Sequence, residues 1–408
     1  MKKKYLFFIS LLILFVVGLI FYNHFKVDNV YEEENLNNSN NINKGISMNL
    51  EQTAGAGDYK LVTQSEWPTE GYKFNSELSK CENGSTLSWD DKKKTVIMQG
   101  NVSDRCYVYF DKYMPPSNLA EYVVSKYTGV QGENDIYYHD SYLENGAGDN
   151  SYRYAGANPN NYVCFGSDAS PCPEDNLYRI IGVINGKVKL IKSDFANSNL
   201  LGTDGDYKET FLTDNHKRKY AYYWNYKASN KSVNTWSTSL LNITNLNTNF
   251  LTNIGSEWAD KIALTTWKVG GNIKANIFST NLNIVYENEI INPIVTNTKD
   301  YKTTYEAKIG LMYISDYGYA SNQDNWTLFV NNSAIKNNNW IYQNFSEWTI
   351  TRIADGAVSA FYLNSSGNVN YNNTGSDASH LIRPVFYLTD ILEYNGGDGT
   401  VSNPIRIS

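Results

Sequence analysis

The chain has 408 residues, a formal net charge of −7 and an isoelectric point near 5.3. Because it has no basic stripe that would neutralise phosphates, nucleic acid is excluded as a partner. Hydrophobic residues make up 41% and charged residues 19%, which is typical of a folded globular chain and not of a disordered one.

The N-terminus has the pattern of a signal anchor. Lys2 to Lys4 precede an uncharged, apolar run from Tyr5 to Tyr22, which reaches the lower limit for spanning a bilayer. No small-residue cleavage site follows, although a cleaved signal peptide is the alternative. The lysines predict a cytoplasmic N-terminus with the remainder outside. Residues 1–22 are therefore predicted to form a cytoplasmic tip and transmembrane helix, in contact with the membrane through residues 5–22, of a single-pass membrane protein.

A flexible stalk and a small β domain are predicted next. Residues 23–45 are rich in Asn and Glu, with little apolar content. Residues 46–112 carry strand patterns, and in the last of them Cys106, Val108 and Phe110 alternate with two tyrosines, so that the apolar residues share one face. The predicted strands are Tyr59–Thr63, Tyr72–Ser76, Ser85–Trp89, Thr95–Gln99 and Arg105–Phe110.

Four cysteines occur as two pairs that are close in sequence. The first pair is Cys81 and Cys106, and the second pair is Cys164 and Cys172. An even number of cysteines is typical of disulfides in an oxidising compartment. Zinc is the alternative, but the chain has no CxxC motif and its four histidines do not cluster with the cysteines. We therefore expect two local disulfides.

Residues 113–175 are predicted to connect the β domain to the rest of the chain. The segment from Tyr113 to Pro116 breaks the strand pattern. Ser117 is a suitable N-cap for a short helix that Gly129 would end. The following stretch, 131–161, is rich in Gly, Asn and Asp and is predicted to lie outside the core. The Cys164–Cys172 loop then leads into the next domain.

The last domain, residues 176–408, is predicted to begin with a β-hairpin. Asn185-Gly186 separates two apolar, β-branched runs, and this dipeptide suits a type I′ turn. The first arm, 177–184, is almost wholly apolar and is expected to be the deeper strand. In the second arm Lys187 and Lys189 alternate with apolar residues, which predicts one solvent-facing and one buried face.

Two helices and several strands are predicted after the hairpin. The helices cover residues 237–254 and a second segment that Ser256 caps, with Trp258, Ile262 and Leu264 on its apolar face. Strand patterns return at Ala307–Ser315, Glu347–Ile353, Ala357–Leu363, Asn368–Tyr371 and His380–Leu388.

Few residues carry a recognisable chemical pattern. The loop from Asp204 to Glu209 offers carboxylates of the kind calcium prefers, but without the full calcium-loop series a solvated loop is the favoured interpretation. Asp316, which follows Met312–Ser315, and Asp324, which precedes Asn325 and Trp326, could place oxygen ligands and an aromatic side chain at one rim, although each signal is weak alone. Arg383, next to Pro384 in an apolar strand, is predicted to pair with a buried carboxylate such as Glu347. His380 is predicted to be a hydrogen-bonded structural histidine. The chain has no nucleotide-binding, zinc-protease or serine-hydrolase motif, and no spacing indicates a catalytic triad.

From Tyr178 onward, the order of elements resembles the C-type-lectin-like fold found in surface proteins of low-GC gut bacteria. The residues that carry the resemblance are Tyr178–Val183, Lys308–Ser315, Glu347–Thr349 and Ile382–Leu388. The resemblance implies an α+β domain whose first and last strands pair. The calcium motifs of sugar-binding members are absent, since Asn292-Pro293-Ile294 and Asp324-Asn325-Trp326 are different, so no cofactor is predicted. Relatives that generate formylglycine need free cysteines, which two disulfides would not leave.

These observations predict a membrane-anchored, extracellular recognition or adhesion protein that binds a glycan or a surface protein. The alternatives are a hydrolase-like enzyme of the cell envelope and a purely structural surface component. Aromatic residues make up 14% of the chain, which indicates either a ligand-contacting surface or AT-rich codon usage, the favoured main cause. The candidate ligand-binding residues, for which core packing is the slightly favoured alternative, are Trp326, Trp340, Trp348, Tyr317 and Tyr319.

Overall fold

The computed structural model describes residues 46–62, 68, 71–90, 93–101, 103–112, 118–214, 217–229, 232–296, 302–375 and 380–408. The chain divides into two compact units, Met1–Met114 and Pro115–Ser408. The predicted anchor (1–22), the stalk (23–45) and the boundary segment from Tyr113 to Pro116 lie outside the described residues. Within the described ranges no helix is long and apolar enough to cross a membrane. The prediction of a single-pass membrane protein is therefore corrected, since the structure gives it no support.

The described part of the first unit is built from strands. β1, β7, β2 and β3 form one sheet in the order β2-β1-β7-β3, with β4 also paired to β7, while β5 and β6 form a separate hairpin. β1 and β7 run parallel, and the other pairs are antiparallel. The strands are β1 Ile46–Glu51, β2 Tyr59–Val62, β3 Tyr72–Phe74, β4 Lys80–Cys81, β5 Thr86–Asp90, β6 Thr95–Gln99 and β7 Cys106–Lys112.

The core of the first unit is small because few of its side chains are fully buried. Met48 and Leu50 from β1 pack with Val108 and Phe110 from β7. The predicted alternation in β7 is confirmed: Cys106, Val108 and Phe110 are buried, whereas the two tyrosines between them are half-buried. A disulfide between Cys81 and Cys106 joins β4 to β7, as predicted. It stabilises a unit that has little apolar surface to bury.

The described part of the second unit contains one large sheet and three small ones. The large sheet has seven strands in the order β17-β21-β12-β11-β9-β8, with β10 also paired to β11; β13-β14, β15-β16 and β18-β19-β20 form the small sheets. The strands are β8 Ile136–His139, β9 Ser151–Tyr154, β10 Tyr162–Cys164, β11 Leu177–Ile184, β12 Lys187–Lys192, β13 Tyr207–Asp214, β14 Lys217–Tyr222, β15 Thr265–Lys268, β16 Thr304–Ala307, β17 Ile309–Gly310, β18 Glu347–Arg352, β19 Ser359–Leu363, β20 Val369–Asn373 and β21 Val385–Tyr387.

Helical segments of the second unit are short. The predicted helix 237–254 is split into a 3-10 turn, a π-helical segment and a final α-turn, and buried amide side chains occupy part of its core-facing surface. The α-helices are α1 Leu119–Val124, α2 Ser198–Leu201, α3 Leu251–Asn253, α4 Ser256–Asp260, α5 Lys274–Ser279, α6 Leu282–Tyr286 and α7 Ile314–Tyr319. The π-helical segments are Leu241–Phe250 and Glu287–Ile291, and the 3-10 turns are Glu133–Asp135, Glu174–Asn176, Trp236–Thr238, Gln323–Asn325 and Ser333–Lys336.

The hairpin at the centre of the large sheet is confirmed. Asn185 and Gly186 have φ angles of 52° and 77°, which are the left-handed values that a type I′ turn requires. Ile184 and Lys187 pair directly across the turn. The predicted solvent-facing surface of the second arm is wrong, because Lys189 is only 1% exposed. Both faces of this arm are covered, and a distant carboxylate neutralises the buried lysine.

The predicted C-type-lectin-like α+β fold is wrong. The described chain is mostly sheet, divided among several small sheets, with few and short helices. β21 is in the same large sheet as β11, but the two do not pair as that fold implies, since β12 lies between them. Segment 307–315, predicted as one strand, forms only the two-residue β17 before the chain turns into α7. The segment predicted as a connector contributes α1, β8, β9 and β10 to the second unit.

Candidate functional site

A network of buried charges connects strands β9 and β12 of the large sheet to helix α7. The Lys189 Nζ in β12 is 2.6 Å from Asp316 Oδ2 in α7, and both side chains are almost fully buried. Arg153 in β9 lies 2.7 Å from Asp149 and 3.8 Å from the other oxygen of Asp316. The Tyr286 hydroxyl donates to Asp149 over 2.6 Å. Each charge in this network therefore has an opposite charge beside it, which offsets the cost of burial.

The environment of this network lowers the pKa values of both Lys189 and Asp149, for different physical reasons. Burial lowers the pKa of Lys189, and the adjacent Asp316 only partly offsets this effect. Burial also acts to raise the pKa of Asp149, but Arg153 and the hydrogen bonds from Ser151 and Tyr286 outweigh it, so that this pKa is lowered. The arrangement holds Asp149 as an anion whose oxygens are occupied by donors.

Glu289 is a second buried carboxylate with a complete set of donors. It accepts hydrogen bonds from the backbone N–H groups of Ile314 and Ser315 at 3.0 Å, and from the Ser315 hydroxyl at 2.7 Å. The Thr351 hydroxyl donates to its other side. Burial raises the pKa of Glu289 in spite of these bonds. The carboxylate fixes the start of α7, close to Asp316.

The predicted pair between Arg383 and Glu347 is confirmed. Arg383 Nε donates to Glu347 Oε2 over 2.8 Å and a terminal nitrogen donates to Oε1 over 2.5 Å, in a bidentate geometry. The same terminal nitrogen donates to the Ile341 carbonyl oxygen over 2.7 Å. His380 is also buried, and its ring stacks on Trp348 with a centroid distance of 4.1 Å. These side chains organise the core and do not form an accessible site.

The five aromatic candidates for ligand binding lie in the core and not on an exposed face. Three indole N–H groups and one phenol donate to backbone carbonyl oxygens, which is how buried Trp and Tyr side chains satisfy their polar ends. The acceptors are Ser321 for Trp326, Tyr154 for Trp340, Tyr222 for Trp348 and Gly367 for Tyr317. Tyr319 is buried against Trp326 in an edge-to-face contact. The five candidates are Trp326, Trp340, Trp348, Tyr317 and Tyr319, and each is at most 3% exposed.

The loop considered for calcium is organised by backbone donors. Asp206 is fully buried, and its carboxylate accepts from the N–H groups of Tyr226, Lys227 and Leu241 at 2.8 to 3.1 Å. Both of its oxygens are therefore occupied, and it is neither a solvated residue nor an open ligand. Burial raises its pKa, although these bonds oppose the shift.

A further set of potential metal ligands lies in the first unit. Cys81, Asp104 and Cys106 have ligand atoms within 4.8 Å of one another. The two sulfurs form a disulfide, and Asp104 accepts from the N–H groups of Asn83, Ser85 and Arg105. A disulfide does not supply thiolates, so this group does not fit a metal in its oxidised form.

The second unit carries an open groove with a volume of about 860 Å³. We call it the polar groove, and four separate parts of the chain form it: residues 173–177, 193–199, 219–220 and 401. Its lining is Pro173, Glu174, Asp175, Leu177, Ser193, Asp194, Phe195, Asn197, Ser198, Asn199, Lys219, Tyr220 and Val401.

The floor of the polar groove contains an ion pair, and other polar side chains of its lining make no hydrogen bond within the described residues. Asp194 is paired with Lys219 through both carboxylate oxygens, and its Oδ1 also accepts from the Phe195 N–H over 2.7 Å. Lys219 Nζ is 5.6 Å from the centre of the Phe195 ring. In contrast, the side chains of Ser193, Ser198 and Asn199 make no hydrogen bond within the described ranges. They are accessible to a ligand.

Lys219 also keeps Asp194, in the floor of the groove, ionised. Burial acts to raise the pKa of Asp194, but hydrogen bonding and charge from Lys219 outweigh it and lower the pKa. Asp194 therefore remains an anion at neutral pH, paired with a cation. The floor has no net charge from this pair, and it holds the segment after β12 in place.

Sequence patterns did not indicate the polar groove, because its residues come from four separated parts of the chain. The only local signal is the polar run from Asn197 to Asn199, which directly follows a buried strand and Phe195. Such a run at the end of a strand is as typical of a simple loop as of a binding site.

Comparison with protein-family models, curated proteins and solved structures finds no match for this chain. The resemblance to gut-bacterial surface proteins therefore remains a prediction, apart from the fold that it implied.

Proposed function

We propose that this chain is a recognition protein that binds a glycan in the polar groove of its second unit. The observation that carries the proposal is a concave surface of about 860 Å³ lined by hydroxyl, amide and carboxylate side chains. Glycans present many hydroxyl groups, and they are bound by side chains that are free to exchange hydrogen bonds with water and with ligand. Ser193, Ser198 and Asn199 have this property.

The groove also offers the partly apolar contact that a sugar ring needs. Tyr220 is half-buried and lines the groove, so part of its ring is available to the carbon-bound face of a sugar. The Asp194–Lys219 pair supplies a fixed donor and acceptor set beside it. A polar, open groove with one aromatic contact favours a glycan over an extended apolar peptide.

Two disulfides support a site of action in an oxidising compartment. Cys81–Cys106 and Cys164–Cys172 account for all four cysteines. Disulfides persist in oxidising compartments outside the cytosol. Surface glycans are also found outside the cytosol. The second disulfide closes the loop that leads to Glu174 and Asp175, and therefore limits the movement of one wall of the groove.

A hydrolase is the second candidate, because the groove contains three carboxylates. Glycoside hydrolysis uses a carboxylic acid and a carboxylate on opposite sides of the scissile bond. Asp194 is committed to Lys219, whereas Glu174 and Asp175 are neighbours on one exposed turn. None lies in the water-excluded, apolar setting that favours a general acid, so the arrangement supports binding more than hydrolysis.

The experiment is a glycan array probed with the full chain, with a panel of cell-surface proteins in parallel. A bound glycan is then titrated with the Ser193→Ala/Ser198→Ala variant and with a matched control, Ser365→Ala/Ser366→Ala, whose serines are exposed and lie outside the groove lining. Loss of two hydrogen bonds is expected to weaken binding about tenfold in the groove variant only.

Four results would decide against the proposal. If no glycan binds above background, or if both double variants bind equally well, the groove is not the glycan site. If a bound oligosaccharide is cleaved during the titration, the hydrolase is the correct function. Binding to surface proteins alone would make the ligand a protein.

A further inference from the structure

A smaller cavity lies beside the turn of the central hairpin, with a volume of about 290 Å³. We call it the aromatic pocket. Trp267 and the tyrosines Tyr286, Tyr313 and Tyr387 contribute to its walls, and Leu264 lies at its edge. This volume is at the lower end of the range of about 300–1,000 Å³ for small-molecule sites, so it suits a single-ring compound.

Hydrogen bonds and a nearby buried charge hold the aromatic walls of the pocket in place. The backbone N–H of Lys268 donates to the Tyr313 hydroxyl over 2.7 Å, and the Tyr286 hydroxyl donates to Asp149 over 2.6 Å. The Lys189 ammonium lies 4.6 Å from the Tyr313 ring centre and 5.4 Å from that of Tyr387. The buried charge network thus holds the rings in place before any ligand arrives, which lowers the cost of binding.

One hydroxyl in the pocket is uncommitted. Tyr387 is half-buried and lines the cavity. Its hydroxyl makes no hydrogen bond within the described part of the chain, unlike the hydroxyls of Tyr286 and Tyr313. It can therefore donate to a ligand acceptor or accept from a ligand donor.

The mouth of the pocket is positive. Lys187 and Lys268 are half-exposed among its lining residues, and no Asp or Glu is among them. Lys187 is offset by Asp390 at 3.4 Å, whereas the Lys268 ammonium has no ion pair among the described residues. A ligand with a negative group is therefore favoured at this mouth.

We propose that the aromatic pocket binds a small aromatic carboxylate. The ring of the ligand lies between the aromatic walls, its carboxylate faces Lys268 at the mouth, and the Tyr387 hydroxyl donates a hydrogen bond to it. This site is separate from the polar groove and does not depend on glycan binding, because the two cavities share no lining residue.

The experiment is calorimetric titration of the full chain with three probes of similar shape: phenylacetate, the neutral 2-phenylethanol and the cationic phenethylammonium. Phenylacetate is expected to bind saturably with a dissociation constant below about 1 mM, the neutral probe about fivefold more weakly, and the cation more weakly still. Equal binding of the three probes, or no saturable binding of phenylacetate, would overturn the proposal.

Two variants locate the bound carboxylate. Lys268→Gln is expected to remove the preference for phenylacetate over 2-phenylethanol, whereas Lys227→Gln, an exposed lysine outside the pocket, is expected to keep it. Tyr387→Phe keeps the ring and is expected to weaken phenylacetate binding about threefold to tenfold through the lost hydrogen bond. If Lys268→Gln keeps the preference, the carboxylate does not bind at the mouth and the proposal is wrong.

Discussion

The two units are stabilised in different ways, although both are rich in strands. Among its described residues, the first unit has an apolar cluster of four buried side chains, Met48, Leu50, Val108 and Phe110, and its disulfide closes a loop between residues 25 apart in sequence. The second unit buries a large cluster in which tryptophan and tyrosine side chains surround paired charges. A small core depends on a covalent bond, whereas a large core has enough contacts to hold ion pairs away from water.

This difference bears on function, because ion pairs lie beside both cavities described in the second unit. The Lys189–Asp316 pair lies next to the aromatic walls of the aromatic pocket. The Asp194–Lys219 pair lies in the floor of the polar groove. They fix the side chains that would otherwise have to be ordered when a ligand binds. Under the two proposals, the Lys189–Asp316 and Asp194–Lys219 pairs therefore act as supports for binding surfaces.

The largest expected effect comes from breaking the Arg383–Glu347 pair. Glu347→Ala leaves the Arg383 guanidinium buried without its carboxylate and is expected to lower the free energy of unfolding of the second unit by about 3–5 kcal/mol. Urea denaturation monitored by tryptophan fluorescence measures the change. Glu306→Ala is the control, since Glu306 is exposed on β16, and it is expected to change stability by less than about 0.5 kcal/mol.

A double variant tests why the single variant is unstable. The cause is either the lost attraction between Arg383 and Glu347 or the Arg383 charge that stays buried without a partner. Glu347→Leu combined with Arg383→Met removes both charges and is expected to recover a large part of the stability lost in the single variant. A double variant as unstable as Glu347→Ala would mean that the pair itself, and not the orphaned charge, provides the stability.

A second, slightly smaller effect tests the dependence of the first unit on its disulfide. Cys81→Ala/Cys106→Ala is expected to cost about 3.5 kcal/mol from loop entropy, and Cys164→Ala/Cys172→Ala about 2.6 kcal/mol because its loop is shorter. Limited trypsin digestion followed by mass spectrometry is expected to show new cleavage within residues 46–112 for the first variant. The loop 165–175 contains no Lys or Arg, so the second variant is digested with a glutamate-specific protease, and new cleavage is expected to be limited to Glu174 in that loop. Resistance of the first unit after loss of Cys81–Cys106 would show that its small core is sufficient.

The smallest effect concerns pH and the buried His139. Burial and the nearby Arg153 hold the pKa of His139 well below its ordinary value of 6.5, so the folded chain keeps the ring neutral. The unfolded chain binds a proton below that value, and stability is therefore lost as the pH falls from 7.5 to 5.5. The loss attributable to His139 is about 1.4 kcal/mol.

Comparison of the wild type with His139→Asn isolates this contribution. Asparagine can accept from the Ala147 N–H as His139 Nδ1 does over 3.0 Å, but it does not titrate. The variant is expected to lose about 1.4 kcal/mol less than the wild type between the two pH values, whatever its absolute stability. Equal pH dependence in both proteins would mean that His139 is not held neutral.

The features predicted correctly from sequence are those with a local cause. Asn185-Gly186 encodes its own turn, and alternation in β7 follows from a one-sided core. The Arg383–Glu347 pair was predictable because an arginine in an apolar strand needs a nearby carboxylate. Neighbouring residues determine the turn and the alternation, whereas the ion pair, whose members are 36 residues apart, follows from the cost of burying an unpaired charge.

The features that the sequence did not reveal depend on distant partners. Lys189 was expected to face solvent, but Asp316, which is 127 residues away along the chain, neutralises it inside the core. The polar stretch 131–161 was expected to lie outside the core, yet it provides β8 and β9, and Arg153 is buried beside Asp149. The polar groove combines segments that are far apart in sequence, and no local pattern marks such a site.

Hydrogen–deuterium exchange of the full chain with and without the best glycan from the array is the most direct test of the central claim. Binding in the polar groove predicts slower exchange in residues 173–177, 193–199 and 219–220, with no change around the aromatic pocket at residues 264–268. Protection confined to other segments, at a glycan concentration that saturates the chain, would contradict the account.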